Sequence, residues 1–97
     1  MSNCFIVETP TAEDVTELYH FLISKDYDLR ECWIEHYVKG LLTDGMMSSI
    51  KGFKFSKINK DYLSWVSVEE LYNTENEIYT VDTFKKNFAK ATRRIEL

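Results

Sequence analysis

The sequence predicts an α+β fold, a small antiparallel sheet of three or four strands packed against two or three helices. Three observations lead to this class. Short apolar segments of strand type occur at the start and in the middle of the chain, helix-capping signatures lie between them, and hydrophobic residues make up 44% of the sequence. Because 97 residues can enclose one hydrophobic core but not two, we expect residues 1–97 to form a single globular domain.

The first two predicted elements are a strand and a helix. Residues 3–8 are apolar on both faces of the expected strand, which is typical of a strand inside a sheet. Pro10 ends this strand, and Thr11 with Asp14 forms the signature of a capped helix start. Apolar residues at helical spacing then predict a helix over residues 12–25.

A second helix and a β-hairpin are predicted for the middle of the chain. Apolar residues at helical spacing over residues 29–39, followed by Gly40, indicate a helix and its end. The sequence Thr-Asp-Gly at 43–45 predicts a turn. Alternating apolar and polar residues over 50–58 and 62–66, separated by polar turn residues, predict two antiparallel strands.

The last third of the chain should contain two further helices and one short strand. Ser67 and Glu70 form a second capping signature, which predicts a short helix that ends near Tyr72. A polar loop over 73–77 and a short strand at 78–79 should follow. The final helix should begin at Thr80 or Asp82, with its apolar positions at Phe84, Phe88, Ala91 and Ile95.

No segment of the sequence indicates a membrane span or a secretory signal. The longest apolar runs fall far short of the ~20 residues that cross a bilayer. The first residues lack a basic segment followed by a long apolar one. With only two cysteines, Cys4 and Cys32, we expect reduced thiols and a cytoplasmic location.

Candidate catalytic and metal-binding residues are few. A metal site would have to combine Cys4, His20, Cys32 and His36, of which only the last two have the spacing of neighbours on one helix face. Three glycines exclude a P-loop or a dinucleotide-binding fingerprint, and no glycine-rich turn exposes a nucleophile. We therefore expect no enzyme activity, no metal and no cofactor.

Aromatic residues are abundant, since six Phe, six Tyr and two Trp occur in this short chain. One interpretation is that they only form the core. We favour a non-catalytic protein-binding module, because interface cores favour aromatic and methionine side chains and acidic faces can steer a partner. A second copy of the chain is an alternative partner. The residues expected at the interface are Trp33, Tyr37, Met46, Met47, Phe53, Tyr62, Glu13, Glu17, Glu31 and Glu35.

The charge distribution leaves nucleic-acid binding as the alternative function. Residues 1–50 carry nine acidic and three basic side chains, whereas residues 51–97 carry seven acidic and nine basic ones. Residues 63–94 could form a helix-turn-helix arrangement with a basic second helix. The pI of about 5.1 argues against tight binding to nucleic acid. The basic residues concerned are Lys51, Lys54, Lys57, Lys60, Lys85, Lys86, Lys90, Arg93 and Arg94.

In size and composition the chain resembles the small accessory proteins of tailed bacteriophages. Like them it has fewer than a hundred residues, is acidic and aromatic-rich, and contains little Gly or Pro. The resemblance implies an inhibitor or modulator of a host protein, such as a defence nuclease or RNA polymerase, that acts in the host cytoplasm. An acidic face that mimics DNA phosphates is a recurrent device of such proteins. The candidate face in this sequence combines Glu13, Asp14 and Glu17 of the first helix with Asp26, Asp28, Glu31 and Glu35.

Overall fold

The computed structural model describes residues 3–58 and 62–93, except for the side chains of residues 62 and 63. The described elements, in chain order, are β1 (Cys4–Glu8), α1 (Ala12–Ser24), α2 (Trp33–Val38), α3 (Asp44–Ser49), β2 (Gly52–Ser56), β3 (Tyr62–Val66), α4 (Val68–Asn73), β4 (Glu77–Thr80), α5 (Val81–Lys86) and α6 (Phe88–Ala91). This arrangement confirms the predicted α+β class.

The four strands form one sheet in the order β3-β2-β1-β4. β1 lies inside the sheet, as its two apolar faces predict, and the predicted β2–β3 hairpin is present. β4 differs from the expected antiparallel arrangement because it pairs with β1 in parallel. The reason is the connection through α4, since a helical crossover allows the chain to enter the sheet again in the direction of the preceding strand.

One face of the sheet, the core face, carries the main hydrophobic core. Phe5 and Phe55 stack on this face with their ring centroids 5.2 Å apart. Phe84 from α5 stacks on Phe5 at 5.6 Å, and buried side chains of α1 and α2, among them Leu18 and Ile34, join the same cluster. Four of the six described helices, α1, α2, α5 and α6, therefore contribute to the core on this side.

The opposite face, the second face, is apolar too. Strand alternation places Ile6 and Val66 on it, and both are fully buried. α4 packs over this face, where Glu70 forms an ion pair with Lys54 of β2 at 3.0 Å. The sheet is thus covered on both faces, but α4 has only six residues and leaves part of the second face open.

The residues just before each helix explain why the start of α1 agrees with the prediction and the start of α2 does not. Thr11 and Asp14 form the predicted capping box. α2 begins only at Trp33, because Glu31 has a φ of 64°, which a right-handed helix does not accommodate. Before it, the Asp28 carboxylate accepts hydrogen bonds from Arg30, and these bonds lower the pKa of Asp28 to about 2.

Two further departures from the prediction arise at caps. Residues 43–45, predicted as a turn, form the start of α3, because the Thr43 hydroxyl accepts a hydrogen bond from the Met46 amide and caps the first turn. The last helix begins after Thr80 but breaks at Asn87, where φ is −118°. Ile95 lies outside the described residues. Among the described helices, none combines the length and apolar character that a membrane span requires.

Candidate functional site

Most of the aromatic and methionine side chains that were predicted at an interface are buried or partly buried in the structure. Trp33 and Tyr37 are partly buried and pack against the core cluster. Met46 and Met47 are half-buried on α3. Phe53 was expected at an interface, but it is fully buried, because β2 directs it to the core face. The side chain of Tyr62 lies outside the described residues.

The predicted acidic residues lie on α1 and around α2, and lysines offset part of their charge. Glu17 pairs with Lys85 of α5 at 3.0 Å. Glu35 pairs with Lys39 at 3.5 Å and also accepts a hydrogen bond from the Glu31 amide. Glu13 is exposed on α1. The acids therefore do not form one continuous unpaired face among the described residues.

Several basic residues of the second half of the chain also form ion pairs. Within the described chain, four of these lysines form ion pairs with carboxylates: Lys54 with Glu70, Lys57 with Glu77, Lys85 with Glu17 and Lys86 with Asp82. β4 separates α4 from α5, so residues 63–93 do not form a helix-turn-helix arrangement. Lys60 and Arg94 fall outside the described residues.

The candidate metal ligands are dispersed. Cys32 precedes the first turn of α2 and His36 lies within that helix, whereas His20 is exposed on α1 and Cys4 lies on β1. Across the described residues, no group of three or more Cys, His, Asp or Glu side chains could hold a metal ion.

An apolar groove lies between α4 and β4. Large hydrophobic side chains are exposed at five described positions, and three of them, Val68, Tyr72 and Ile78, line this groove. Leu71 and Glu8 complete the lining, and the groove encloses about 300 Å³. Tyr72 is 84% exposed, an unusual value for an aromatic side chain next to an apolar surface. We call the surface formed by Glu8, Val68, Leu71, Tyr72 and Ile78 the docking groove.

The local sequence explains how the docking groove forms. Ser67 caps α4 by accepting a hydrogen bond from the Glu70 amide. Val68, Leu71 and Tyr72 then lie at helix positions i, i+3 and i+4, which share one side of the helix. In β4 alternation sends Tyr79 to the core face, where it contacts Phe5, and leaves Ile78 on the second face.

Electrostatics around the docking groove are acidic. Glu8 lines the groove itself, Glu69 lies next to Val68 on α4, and Glu75 is in the loop between α4 and β4. None of these three carboxylates forms an ion pair with another described residue. Glu8 therefore brings an uncompensated negative charge to the groove, and Glu69 and Glu75 add negative charge to α4 and the loop after it.

A hydrogen-bonded cluster holds the first residue of β4 in place. Glu77 accepts hydrogen bonds of 2.7 Å from both the Lys57 ammonium and the Tyr79 hydroxyl. These bonds lower the pKa of Glu77, that from Lys57 most strongly. Desolvation, followed by the hydrogen bond to Glu77, raises the pKa of Tyr79 to about 12. The cluster fixes the strand whose other face borders the docking groove.

The sequence predicted the elements that form the docking groove but not the groove itself. The α4 capping signature and the strand at 78–79 were both predicted, yet none of the groove residues was among the expected interface residues. The available signal was the pair Leu71 and Tyr72 in so short a helix, because six residues cannot bury a wide apolar stripe.

Comparison with known proteins gives no relative. No protein-family model matches the chain, and neither a curated protein nor a solved structure is similar to it.

Proposed function

We propose that this chain is a non-catalytic protein-binding module and that the docking groove is its contact surface. The observation that carries the proposal is that, of the five large hydrophobic side chains exposed in the described part of the chain, three converge on one groove. Scattered exposed apolar residues are ordinary on a soluble domain, whereas a cluster next to a concave surface is typical of an interaction site.

The composition of the groove supports recognition of a protein. Tyr72 supplies a large amphipathic ring, and Val68 and Ile78 flank it with aliphatic surface. Tyrosine is among the residues that contribute most to protein interfaces, whereas catalysis would require a nucleophile, a base or a metal beside the cavity. Among the residues that the structure describes, Glu8 is the one charged side chain that lines the groove. We expect it to select the partner by charge.

The size of the groove favours a short segment of the partner over a broad surface. A volume of about 300 Å³ is at the lower end of the range of ligand pockets. The resemblance to phage accessory proteins is consistent with a partner from a bacterial host, such as a defence nuclease or RNA polymerase. Under this proposal the chain acts by occupying a site on that protein.

Site-specific cross-linking tests the proposal. A photoreactive phenylalanine analogue at position 72 should form a covalent adduct with a defined protein in the cells that naturally produce this chain. The matched control is the same analogue at position 23, because Ile23 is also an exposed hydrophobic residue but lies on α1, on the other side of the sheet. An adduct specific to position 72 is the expected result.

Point variants then separate binding from folding. With the analogue kept at position 72, Val68→Ser should abolish recovery of the cross-linked partner, while Ile23→Ser, at the same 46% exposure as Val68, should leave it unchanged. Exposed substitutions of this kind change the free energy of unfolding by only about 0.5 kcal/mol or less. Equal adducts at positions 72 and 23, or recovery insensitive to Val68→Ser, would show that the proposal is wrong.

A further inference from the structure

The outer edge of β4 is the second notable feature of this region. β4 is an end strand of the sheet and pairs only with β1 among the described strands. Glu77, Ile78 and Thr80 are all exposed. In a parallel ladder, alternate residues of a strand direct their backbone N–H and C=O groups to one side. The register directs the backbone groups of Ile78 and Thr80 outward, but those of Thr80 bond Thr83 in the cap of α5. Ile78 therefore presents its N–H and C=O at the outer edge.

The free edge and the docking groove lie side by side. Ile78 belongs to both, since it is a residue of β4 and also lines the groove next to Tyr72 and Val68. A strand added to β4 would direct alternate side chains toward the second face, about 6.6 Å apart. Those side chains would extend the apolar surface of Ile78 and Tyr72.

Charge identifies the chemistry of the added strand. Glu8 lines the groove, and the exposed Glu69 and Glu75 are within three residues of Tyr72 in the sequence. None of the three has an ion-pair partner among the described residues. A segment that carries lysine or arginine would neutralise them. A second copy of this chain is a poor occupant, because each copy carries a net charge of −4 and would bring the same acidic rim to the contact.

We propose, on the basis of the protein-binding function above, that the docking groove and the edge of β4 receive an extended, basic segment of the partner protein, which adds to the sheet as a fifth strand. Its backbone bonds to β4, its apolar side chains on one face contact Ile78 and Tyr72, and its basic side chains approach Glu8 and the two flanking acids. This is recognition by strand addition, in which backbone bonds supply affinity and alternate side chains supply specificity.

Peptides selected against the purified chain provide the test. A random library of 12-residue peptides displayed on yeast is screened, and the best binder is synthesised unmodified, N-methylated at odd positions, or N-methylated at even positions. Since a strand uses alternate N–H groups toward one neighbour, one methylated form should bind at least about tenfold more weakly and the other within about threefold. The selected peptides should alternate apolar with basic residues.

Three measurements on the protein complete the test. Amide hydrogen exchange should slow within residues 77–80 when the unmodified peptide binds. Tyr72→Ala should weaken binding by about tenfold or more. Glu8→Gln should weaken it and reduce its dependence on salt, whereas Glu13→Gln on α1 should leave affinity unchanged.

Other outcomes would overturn the inference. Equal loss of binding with both methylated forms indicates a helical ligand, and unchanged exchange at 77–80 indicates a different surface. Concentration-dependent dimerisation that protects residues 77–80 identifies a second copy as the occupant. A library that yields no binder dependent on Tyr72 also contradicts it. If cross-linking at position 72 still identifies a partner in any of these cases, strand addition fails while the protein-binding function stands.

Discussion

The Lys54 ammonium of β2 lies 3.0 Å from the Glu70 carboxylate of α4 and connects the middle of the sheet with the helix that borders the docking groove. Both side chains are partly exposed, at 27% and 41%. Solvent therefore weakens the attraction, but the pair joins residues sixteen positions apart in the sequence. It fixes the position of α4 on the second face.

The first prediction concerns this ion pair. Lys54→Ala and Glu70→Ala should each lower the free energy of unfolding, and a double-mutant cycle should give a coupling energy of about 0.5–1 kcal/mol. The control is the i,i+4 pair of Lys86 and Asp82, exposed at 72% and 75%, for which the same cycle should give less. Urea unfolding at low and high salt measures both coupling energies. Equal coupling energies in the two pairs would contradict the role of the Lys54–Glu70 pair in holding α4 on the sheet.

Gly52→Ala should destabilise the sheet. A Cβ at this position would lie 2.7 Å from the Val7 carbonyl oxygen and 3.1 Å from Cγ2 of Val66. Because the first contact is with backbone, we expect a loss of about 1–3 kcal/mol in the free energy of unfolding.

Gly45→Ala is the matched control for that substitution. Gly45 lies in α3 with nothing within 4 Å of an added Cβ, so alanine should stabilise the helix by about 0.5–1 kcal/mol. Denaturant titration compares the two variants. A neutral Gly52→Ala would mean that β1 and β2 can separate at little cost.

Removal of the capping hydroxyl of α1 should cost stability. Thr11 accepts a hydrogen bond from the Asp14 amide and donates one to its carboxylate. Thr11→Ala should therefore lower the free energy of unfolding by about 1 kcal/mol. Thr16→Ala, within the same helix, should be neutral or slightly stabilising because alanine is the better helix former. Thermal unfolding followed by circular dichroism distinguishes the two, and similar losses would show that the cap is not important.

The Tyr79 hydroxyl should titrate well above an ordinary tyrosine. Its pKa is raised from 10.0 to about 12, so the folded state holds this proton more tightly than the unfolded state. The stabilisation is complete below pH 10 and is lost as the pH rises toward 12. The ¹³Cζ chemical shift of Tyr79 measures this pKa directly.

Glu77→Gln tests the cause of that shift. The variant removes the carboxylate charge but not the burial, so the pKa of Tyr79 should fall toward 10.0 yet remain above it. Because desolvation is the largest cause, a pKa that falls fully to the ordinary value would contradict this account.

Several elements were predictable because their causes are local. The capping residues Thr11 and Ser67 lie within one helical turn of the groups that they bond. The hairpin of β2 and β3 follows from alternation on either side of a polar turn. By contrast, the late start of α2 depends on the positive φ of Glu31, a conformation that glycine or asparagine usually signals and glutamate does not.

By itself, the sequence determined the α+β class, the interior position of β1, and the existence of α1, α4 and the hairpin, since periodicity and caps act over a few residues. Only the tertiary structure decided that β4 pairs in parallel at the sheet edge and that Phe53 is buried while Tyr72 is exposed. Burial depends on which elements cover which face. Contacts between distant parts of the chain determine which face is covered. A pattern of neighbouring residues does not specify those contacts.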